Sequence, residues 1–134
     1  MVGLRHLLSD PAVPDIALSN MTLDSRQVSA GDLFVALPGL HHDGRDFIEA
    51  AFTQGAAAIL TETVPEALLG DDRVIPIPRL KVRLGELANR FYRAPSKKLK
   101  LIAVTGTNGK TSIVELASQM LRSMGYRAGS IGTL

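Results

Sequence analysis

The stretch "LKLIAVTGTNGKTSIVELASQML", residues 99–121, combines three local patterns within a short segment. Its first part, residues 101–104, is an apolar run containing Ile and Val, which predicts a buried strand. From Thr111 onward, apolar side chains recur at helical spacing until Gly125, which predicts a helix that ends at a glycine. The glycines of "GTNGKT" therefore lie where a strand turns into a helix.

This junction has the chemistry of a phosphate-binding loop. Amide groups in the first turn of a helix have no intrahelical partner, and the helix dipole makes that end positive. Gly106 and Gly109 lack the Cβ atoms that would keep an anion at a distance. Lys110 supplies a positive charge, and the Thr111 hydroxyl is a ligand suited to Mg²⁺. Together, Gly106, Gly109, Lys110 and Thr111 are expected to form a cradle for a phosphate group.

The motif is shorter than the strict eight-residue phosphate-loop pattern, which requires a glycine where this sequence has Val104. An ordinary turn with a solubilising lysine is the alternative interpretation. The order of strand, glycine loop and helix favours phosphate binding over that alternative.

The composition is typical of a globular protein, with 46% hydrophobic and 21% charged residues. The absence of cysteine from the sequence excludes a disulfide framework, a thiolate nucleophile and a cysteine-ligated metal. The N-terminal segment has no continuous apolar stretch typical of a secretory signal, and no apolar run approaches the length of a membrane-spanning helix. We therefore expect a cytoplasmic protein.

Charge is distributed unevenly along the chain. Residues 71–100 hold nine basic and three acidic side chains, whereas residues 1–70 hold three basic and nine acidic ones. Nucleic-acid binding is one interpretation of the basic segment. A solvated helix face is better supported, because an apolar stripe recurs there at helical spacing and aromatic residues, at 4%, are too few for base stacking. The stripe consists of Leu80, Leu84, Leu87 and Phe91.

Residues 1–96 are predicted to form a small α/β domain, with a boundary at Pro95, which cannot continue the preceding helix. Residues 97–134 then give a strand, the phosphate loop, a helix and a second strand, "RAGSIGT", which is the first βαβ unit of a nucleotide-binding domain. Such a unit cannot bury both faces of its strands alone, so we expect the chain to be the N-terminal part of a longer protein. The predicted helices cover residues 4–8, 47–52, 80–92 and 111–124, and the predicted strands of the first domain cover residues 21–24, 33–37, 57–60 and 74–77.

Two segments, taken together, resemble the Mur ligases. Residues 22–60, "TLDSRQVSAGDLFVALPGLHHDGRDFIEAAFTQGAAAIL", are similar to the N-terminal domain of that family. Residues 104–112, "VTGTNGKTS", are similar to the ATP loop of its central domain. The order and separation of the motifs also match, and the resemblance covers essentially the whole chain. Within the family, both motifs are most similar to members that add the third residue of the peptidoglycan stem peptide.

The resemblance implies an ATP-dependent amide ligase whose substrates are a UDP-N-acetylmuramoyl dipeptide and a diamino acid, either diaminopimelate or lysine. ATP would phosphorylate the terminal carboxylate, the amine would attack the acyl phosphate, and ADP and phosphate would leave. The residues that would wrap the ATP phosphates are Gly106, Thr107, Asn108, Gly109, Lys110, Thr111 and Ser112. Lys110 would act in catalysis by neutralising the β- and γ-phosphate oxygens, and Thr111 would hold Mg²⁺. The positions that match the family's UDP-sugar contacts are Leu23, Ser25, Leu40, His41 and His42.

Other interpretations of the first-domain residues stay open. Asp24 and Ser25 also fit a capped turn, and Arg26 can pair either with Asp24 or with a diphosphate. The two histidines that precede Asp43 would make a poor metal site, because no distant third ligand accompanies them.

Other functions are also compatible with the sequence. A non-catalytic module that binds a nucleotide or UDP-sugar is one, and the ligase of the same family that adds D-Ala-D-Ala is another. A small phosphate-loop kinase is disfavoured, because no acceptor-binding or lid segment follows the loop.

Overall fold

The computed structural model describes residues 1–39 and 43–132, and the chain divides into two compact units, Met1–Lys98 and Leu99–Leu134. The first unit contains β1 (Val2–Gly3), α1 (Leu4–Leu8), β2 (Ala17–Leu18), β3 (Met21–Thr22), β4 (Leu33–Ala36), α2 (Ile48–Thr53), β5 (Ala58–Thr61), β6 (Val74–Pro76) and α3 (Leu80–Phe91). Short 3-10 helices lie at Ser25–Gln27, Gly44–Phe47, Glu66–Leu68 and Pro95–Lys98. The second unit contains α4 (Lys110–Ser123). Within the described ranges, no helix has the length and apolarity needed to cross a bilayer.

Four strands of the first unit form a parallel sheet in the order β3–β4–β5–β6. Leu33 of β4 pairs with Met21 on one side and with Ala58 on the other. All four residues of β4, "LFVA", are buried, because layers cover both faces of the sheet. This architecture confirms the predicted α/β class.

Alternate residues of each strand face opposite layers, as the two-residue period of a strand requires. Leu33 and Val35 belong to the core cluster that includes α1 and α3, whereas Phe34 and Ala36 belong to the cluster that includes α2. The predicted apolar stripe of α3 is confirmed. Leu80, Leu87 and Phe91 are buried, and Leu84 is partly buried against the same core.

A short antiparallel pair, β1 with β2, was not predicted. Val2 pairs with Leu18, and Gly3 pairs with Ala17. Strands of two residues are too short to show an alternation of apolar and polar side chains, so the sequence carries no periodic signal for them. The predicted strand at residues 21–24 is likewise shortened, because the chain enters a 3-10 helix at Ser25.

The second unit contains the predicted helix but no paired strand among its described residues. Residues 101–104 and 127–133 were predicted to be strands, but residues 101–104 and the described part of the second segment, residues 127–132, make no ladder hydrogen bonds. A strand is defined by a hydrogen-bonded neighbour, and neither segment has one here. Leu101 and Ile102 are accordingly 78% and 71% exposed. The α4 helix is confirmed, although its apolar side chains, such as Leu116, are also exposed.

Gly85→Ala is expected to stabilise the first unit. Gly85 lies in the middle of α3, and an added Cβ would meet no atom within 4 Å. Alanine should therefore raise the free energy of unfolding by about 0.5–1 kcal/mol, through better helix propensity and a less flexible unfolded chain. Urea denaturation followed by circular dichroism measures this change. A loss of stability would show that the exposed surface of α3 is not free to accept a side chain.

Candidate functional site

The predicted phosphate loop has the backbone conformation that its glycines permit. Gly106 and Gly109 have φ angles of +152° and +76°, in the region that side chains with a Cβ rarely adopt. Gly109 is the N-cap of α4, and no side chain caps that helix end. The first turn also contains no acidic residue. The positive end of the helix dipole is therefore uncompensated at this loop.

Lys110 bends back over the loop that precedes it. Its Nζ donates a hydrogen bond to the carbonyl oxygen of Gly106 at 2.6 Å and is 3.5 Å from that of Thr107. The ammonium is therefore held beside the loop by neutral carbonyl groups while remaining exposed to solvent. Such an arrangement leaves its positive charge available to an anion.

Thr111 and Ser112 follow Lys110 in the exposed first turn of α4. The Thr111 hydroxyl makes no hydrogen bond to another described residue, so an oxygen ligand is available there. No group of three metal-ligating side chains occurs among the residues that the structure describes. The role of Thr111 as a Mg²⁺ ligand therefore stays a prediction here.

A second candidate site is an open groove of about 1080 Å³ in the first unit. Residues 23–26, which directly follow β3, line one part of it, and residues 37–39, which follow β4, line another. Lys81 and Leu84 of α3 also border the groove. The carboxyl ends of adjacent parallel strands meet at one sheet edge, which is where α/β proteins bind ligands.

Asp24 and Arg26 form a two-pronged ion pair beside this groove. Arg26 Nε donates to Asp24 Oδ1 at 2.9 Å, and Arg26 Nη2 donates to Oδ2 at 2.7 Å. The backbone N–H of Arg26 also donates to Oδ1, at 3.0 Å. These hydrogen bonds lower the pKa of Asp24 to about 2. Of the two partners left open for Arg26, the structure therefore shows pairing with Asp24, and Asp24 also caps the 3-10 helix that begins at Ser25.

The same two-pronged ion pair, which we call an Asp–Arg fork, occurs twice more, at Asp43–Arg45 and at Asp71–Arg73. In each, the arginine backbone N–H and guanidinium both contact the carboxylate two residues earlier. Hydrogen bonds from the arginine side chain and backbone lower the pKa of Asp43 and of Asp71. Sequence reasoning missed the repetition, although the recurring Asp-x-Arg spacing is a signal that could have identified it.

The structure brings Leu23 and Ser25 together on the groove, as the resemblance implied for two UDP-sugar contacts. Leu40, His41 and His42 lie outside the described residues, so their role stays a prediction. The ligand assignment of Leu23 and Ser25 also stays a prediction at this point. Lys81 and Leu84 were not predicted as groove residues, because they come from α3, far away in sequence.

The carboxyl group of Asp24 is expected to titrate near pH 2 rather than near its ordinary value of 3.8. Because the folded pKa is depressed, the ion pair contributes stability fully above about pH 4, and this contribution is lost as the pH falls towards 2. NMR titration of the side-chain ¹³C resonance measures the midpoint. Arg26→Gln removes the principal cause and should return the midpoint towards 3.8. A midpoint that does not change in this variant would contradict the fork.

Two family models match the chain. One, described as "Mur ligase family, catalytic domain", matches residues 17–92, and the other, "Mur ligase middle domain", matches residues 104–134. The UDP-N-acetylmuramoyl-L-alanyl-D-glutamate–2,6-diaminopimelate ligase of Pseudomonas syringae pv. tomato is 46% identical over 122 residues, which cover 90% of this chain and 25% of that protein. The ligase of the same name from Xanthomonas oryzae pv. oryzae is 42% identical over 135 residues, which cover 99% and 27%.

Mur ligases are also found among the solved structures that resemble this chain. The structure of a UDP-N-acetylmuramoyl-L-alanyl-D-glutamate–2,6-diaminopimelate ligase matches 98% of this chain and 27% of its own, with a TM-score of 0.67 and 30% identity. MurF ligase from Thermotoga maritima, in complex with ADP, matches 83% of this chain and 25% of its own, with a TM-score of 0.63 and 31% identity.

The chain thus spans about a quarter of the length of the curated relatives that it matches. The first family model nevertheless matches more than half of the 134 residues, and the second matches the segment that contains the phosphate loop. The parallel sheet and the structural neighbours agree with these matches. The chain belongs to the Mur ligase family.

Proposed function

We propose that the protein is an ATP-dependent, ADP-forming amide ligase of peptidoglycan precursor synthesis, which acts in the cytoplasm and serves cell-wall biogenesis. It adds a diamino acid to UDP-N-acetylmuramoyl-L-Ala-D-Glu. In this proposal, residues 1–96 bind the UDP-sugar, and residues 97–134 begin the domain that binds ATP. The single observation that carries it is the uncapped, glycine-bounded start of α4 with Lys110 beside it, in a chain of this family.

The proposed reaction transfers the γ-phosphoryl group of ATP to the terminal carboxylate of the dipeptide. The amine of the diamino acid then attacks the acyl carbon, phosphate leaves, and an amide bond forms. Such chemistry depends on positioning and on neutralising charge rather than on a covalent intermediate with the protein. The backbone amides of residues 106–112 and the Lys110 ammonium are suited to that task.

Thr111 is the described residue that would hold Mg²⁺, as its free hydroxyl suggests. The ion would supply charge neutralisation to the transferring phosphoryl group. Lys110 would contact the same ATP phosphates as the ion, because it immediately precedes Thr111 at the start of α4. Its ammonium would exchange the Gly106 carbonyl for a phosphate oxygen, which is a stronger, charge-assisted partner.

The groove beside β3 and β4 is the proposed UDP-sugar site. Leu23, 52% exposed at the groove, offers an apolar surface, and the Ser25 hydroxyl offers a hydrogen bond. Leu40, His41 and His42 would complete the contacts. Pockets that combine an apolar wall with a few polar groups at the ends of strands are typical ligand sites.

Titration of the chain with UDP tests this assignment. The wild type is expected to bind, and Ser25→Ala is expected to weaken the interaction by about 0.5–1.5 kcal/mol, the net value of one neutral hydrogen bond. Isothermal titration calorimetry with millimolar ligand measures both proteins, and Arg73→Gln, at a residue that does not line the groove, serves as the control. No binding by the wild type, or equal binding by wild type and Ser25→Ala, argues against the site.

The 134-residue chain is not expected to catalyse ligation by itself. It spans about a quarter of its relatives, and its described residues offer no cluster of acidic metal ligands. Phosphate release is followed with ATP, Mg²⁺, UDP-N-acetylmuramoyl-L-Ala-D-Glu and either diaminopimelate or lysine. Turnover at the rate of a complete ligase would overturn this expectation.

Addition of D-Ala-D-Ala is the second candidate, because a structural neighbour with a TM-score of 0.61, from Acinetobacter baumannii, is named a D-alanyl-D-alanyl ligase. The relatives at 42–46% identity instead carry the diaminopimelate ligase name, which favours the diamino acid. A complete protein distinguishes the two when it is offered each amino donor with its matching UDP-muramoyl peptide. A complete protein that binds UDP and ATP but turns over neither pair would support a non-catalytic binding module.

A further inference from the structure

The three Asp–Arg forks share one local geometry but differ in what surrounds them. The Asp24–Arg26 fork lines the groove with both of its residues. The Asp71–Arg73 fork lies elsewhere, directly before β6, where the Arg73 guanidinium stacks 4.3 Å from the centroid of the Phe52 ring. Arg73 thus has a packing partner within the fold, whereas the Arg26 side chain is 87% exposed.

One edge of the Arg26 guanidinium makes no hydrogen bond to a described residue. Its Nε and Nη2 both donate to Asp24, but its Nη1 has no partner among the described residues. A guanidinium has five donor hydrogens, so one edge is committed to the carboxylate and the other is available. The committed edge holds the planar group in place, which reduces the rotamer entropy that a ligand contact would otherwise cost.

Charge at the groove complements an anion. Asp24 is neutralised by its own fork, so it contributes little net repulsion. Lys81, which borders the groove from α3, has an exposed side chain and forms no ion pair with a described residue. The charged residues of the groove lining are Asp24, Arg26 and Lys81, so their formal charge sums to +1. Arg26 is the directional donor of this site, and Lys81 carries the charge that Asp24 does not offset.

We propose that Arg26 binds the phosphate oxygens of the nucleotide diphosphate group in this groove. In this proposal, Asp24 is the positioning residue that holds the Arg26 guanidinium in orientation, so that its unpaired edge is available to the phosphate. This inference rests on the proposed UDP-sugar site and adds to it the residue that distinguishes the phosphates from the nucleoside. The Arg26 Nη1 donates to a phosphate oxygen while Nε and Nη2 stay on Asp24. Ser25, between the two fork residues, is positioned by the same turn.

The test compares two ligands that differ only in phosphate, UDP and uridine, on the 134-residue chain. Wild type is expected to bind UDP more tightly than uridine. Arg26→Gln should lower UDP affinity about tenfold, because a charge-assisted hydrogen bond is lost, and should leave uridine affinity unchanged. Asp24→Asn should lower UDP affinity by a smaller factor, since the guanidinium remains but is no longer held. NMR shift titrations of backbone amides measure all six dissociation constants of these three proteins, and they also report whether each protein is folded.

Arg73→Gln is the matched control, because it breaks an identical fork outside the groove and also removes the stacking on Phe52. It should lower thermal stability at least as much as Arg26→Gln and leave the ratio of UDP to uridine affinity at the wild-type value. If Arg26→Gln lowers the affinities for UDP and uridine equally, or lowers neither, the fork only stabilises the turn. The inference is then wrong, while the UDP site stands. If wild type binds neither ligand, the proposed site is itself overturned and the role of Arg26 falls with it.

Discussion

Lys110→Ala is expected to lower kcat of the complete ligase by about 100-fold or more, with a smaller change in KM for ATP. The backbone amides at the start of α4 are uncapped and remain in the variant, so much of the ground-state affinity for phosphates is retained. The charge that develops between the β- and γ-phosphates as their bond breaks has no comparable partner in the described loop. Steady-state kinetics at varied ATP concentration separate the two effects.

Lys110→Arg is the informative companion variant and should rescue little activity. A planar guanidinium is broader than the compact ammonium that reaches the Gly106 carbonyl at 2.6 Å, and it does not replace a point charge within a tight glycine loop. If the kcat of Lys110→Ala stays within about threefold of wild type, Lys110 is only a solubilising residue at a helix start. The phosphate-loop assignment, and the ligase proposal with it, would then be wrong.

Gly44→Ala is expected to destabilise the first unit by about 3 kcal/mol, in the upper range for overpacking a close contact. A Cβ at Gly44 would lie 2.7 Å from the backbone oxygen of Leu37 and 2.8 Å from its nitrogen. The Gly44 N–H also donates to that oxygen at 2.9 Å, so the two backbones cannot separate without losing a hydrogen bond. Chemical denaturation measures the loss.

The same substitution should impair the groove, since Gly44 and Leu37 both line it. UDP affinity is therefore expected to fall together with stability. Gly85→Ala provides the control of opposite sign, because it adds the same methyl group where no atom lies within 4 Å. Unchanged stability in Gly44→Ala would mean that the segment after β4 can relax away from Gly44.

Much of the fold could be predicted because its signals are local. The stripe of α3 repeats at helical spacing, and the strands β4 and β5 are continuous apolar runs between turn residues. Strands of only two residues, such as β1 and β2, show no such repeat, and their pairing was not predicted. Residues 101–104 carry a strand-like pattern without a hydrogen-bonded neighbour among the described residues, so pattern and structure differ there.

The two candidate sites were not equally predictable. The phosphate loop consists of consecutive residues, so strand-like pattern, glycines, lysine and helix start could be seen together in one segment. The Asp24–Arg26 fork is also local, but the sequence left two partners open for Arg26, and only the geometry shows which one it contacts. The groove itself joins loops after β3 and β4 to Lys81 of α3.

By itself, the sequence determined the α/β class, the helices α3 and α4, the glycine loop with Lys110, and the resemblance to the Mur ligases. Only the tertiary structure decided which residues line the groove, that Arg26 keeps one guanidinium edge free, and that Gly44 must be glycine for space. The physical reason is that periodicity and loop chemistry are properties of neighbouring residues. The meeting of strand ends and backbones depends on parallel pairing between segments that are distant in the chain.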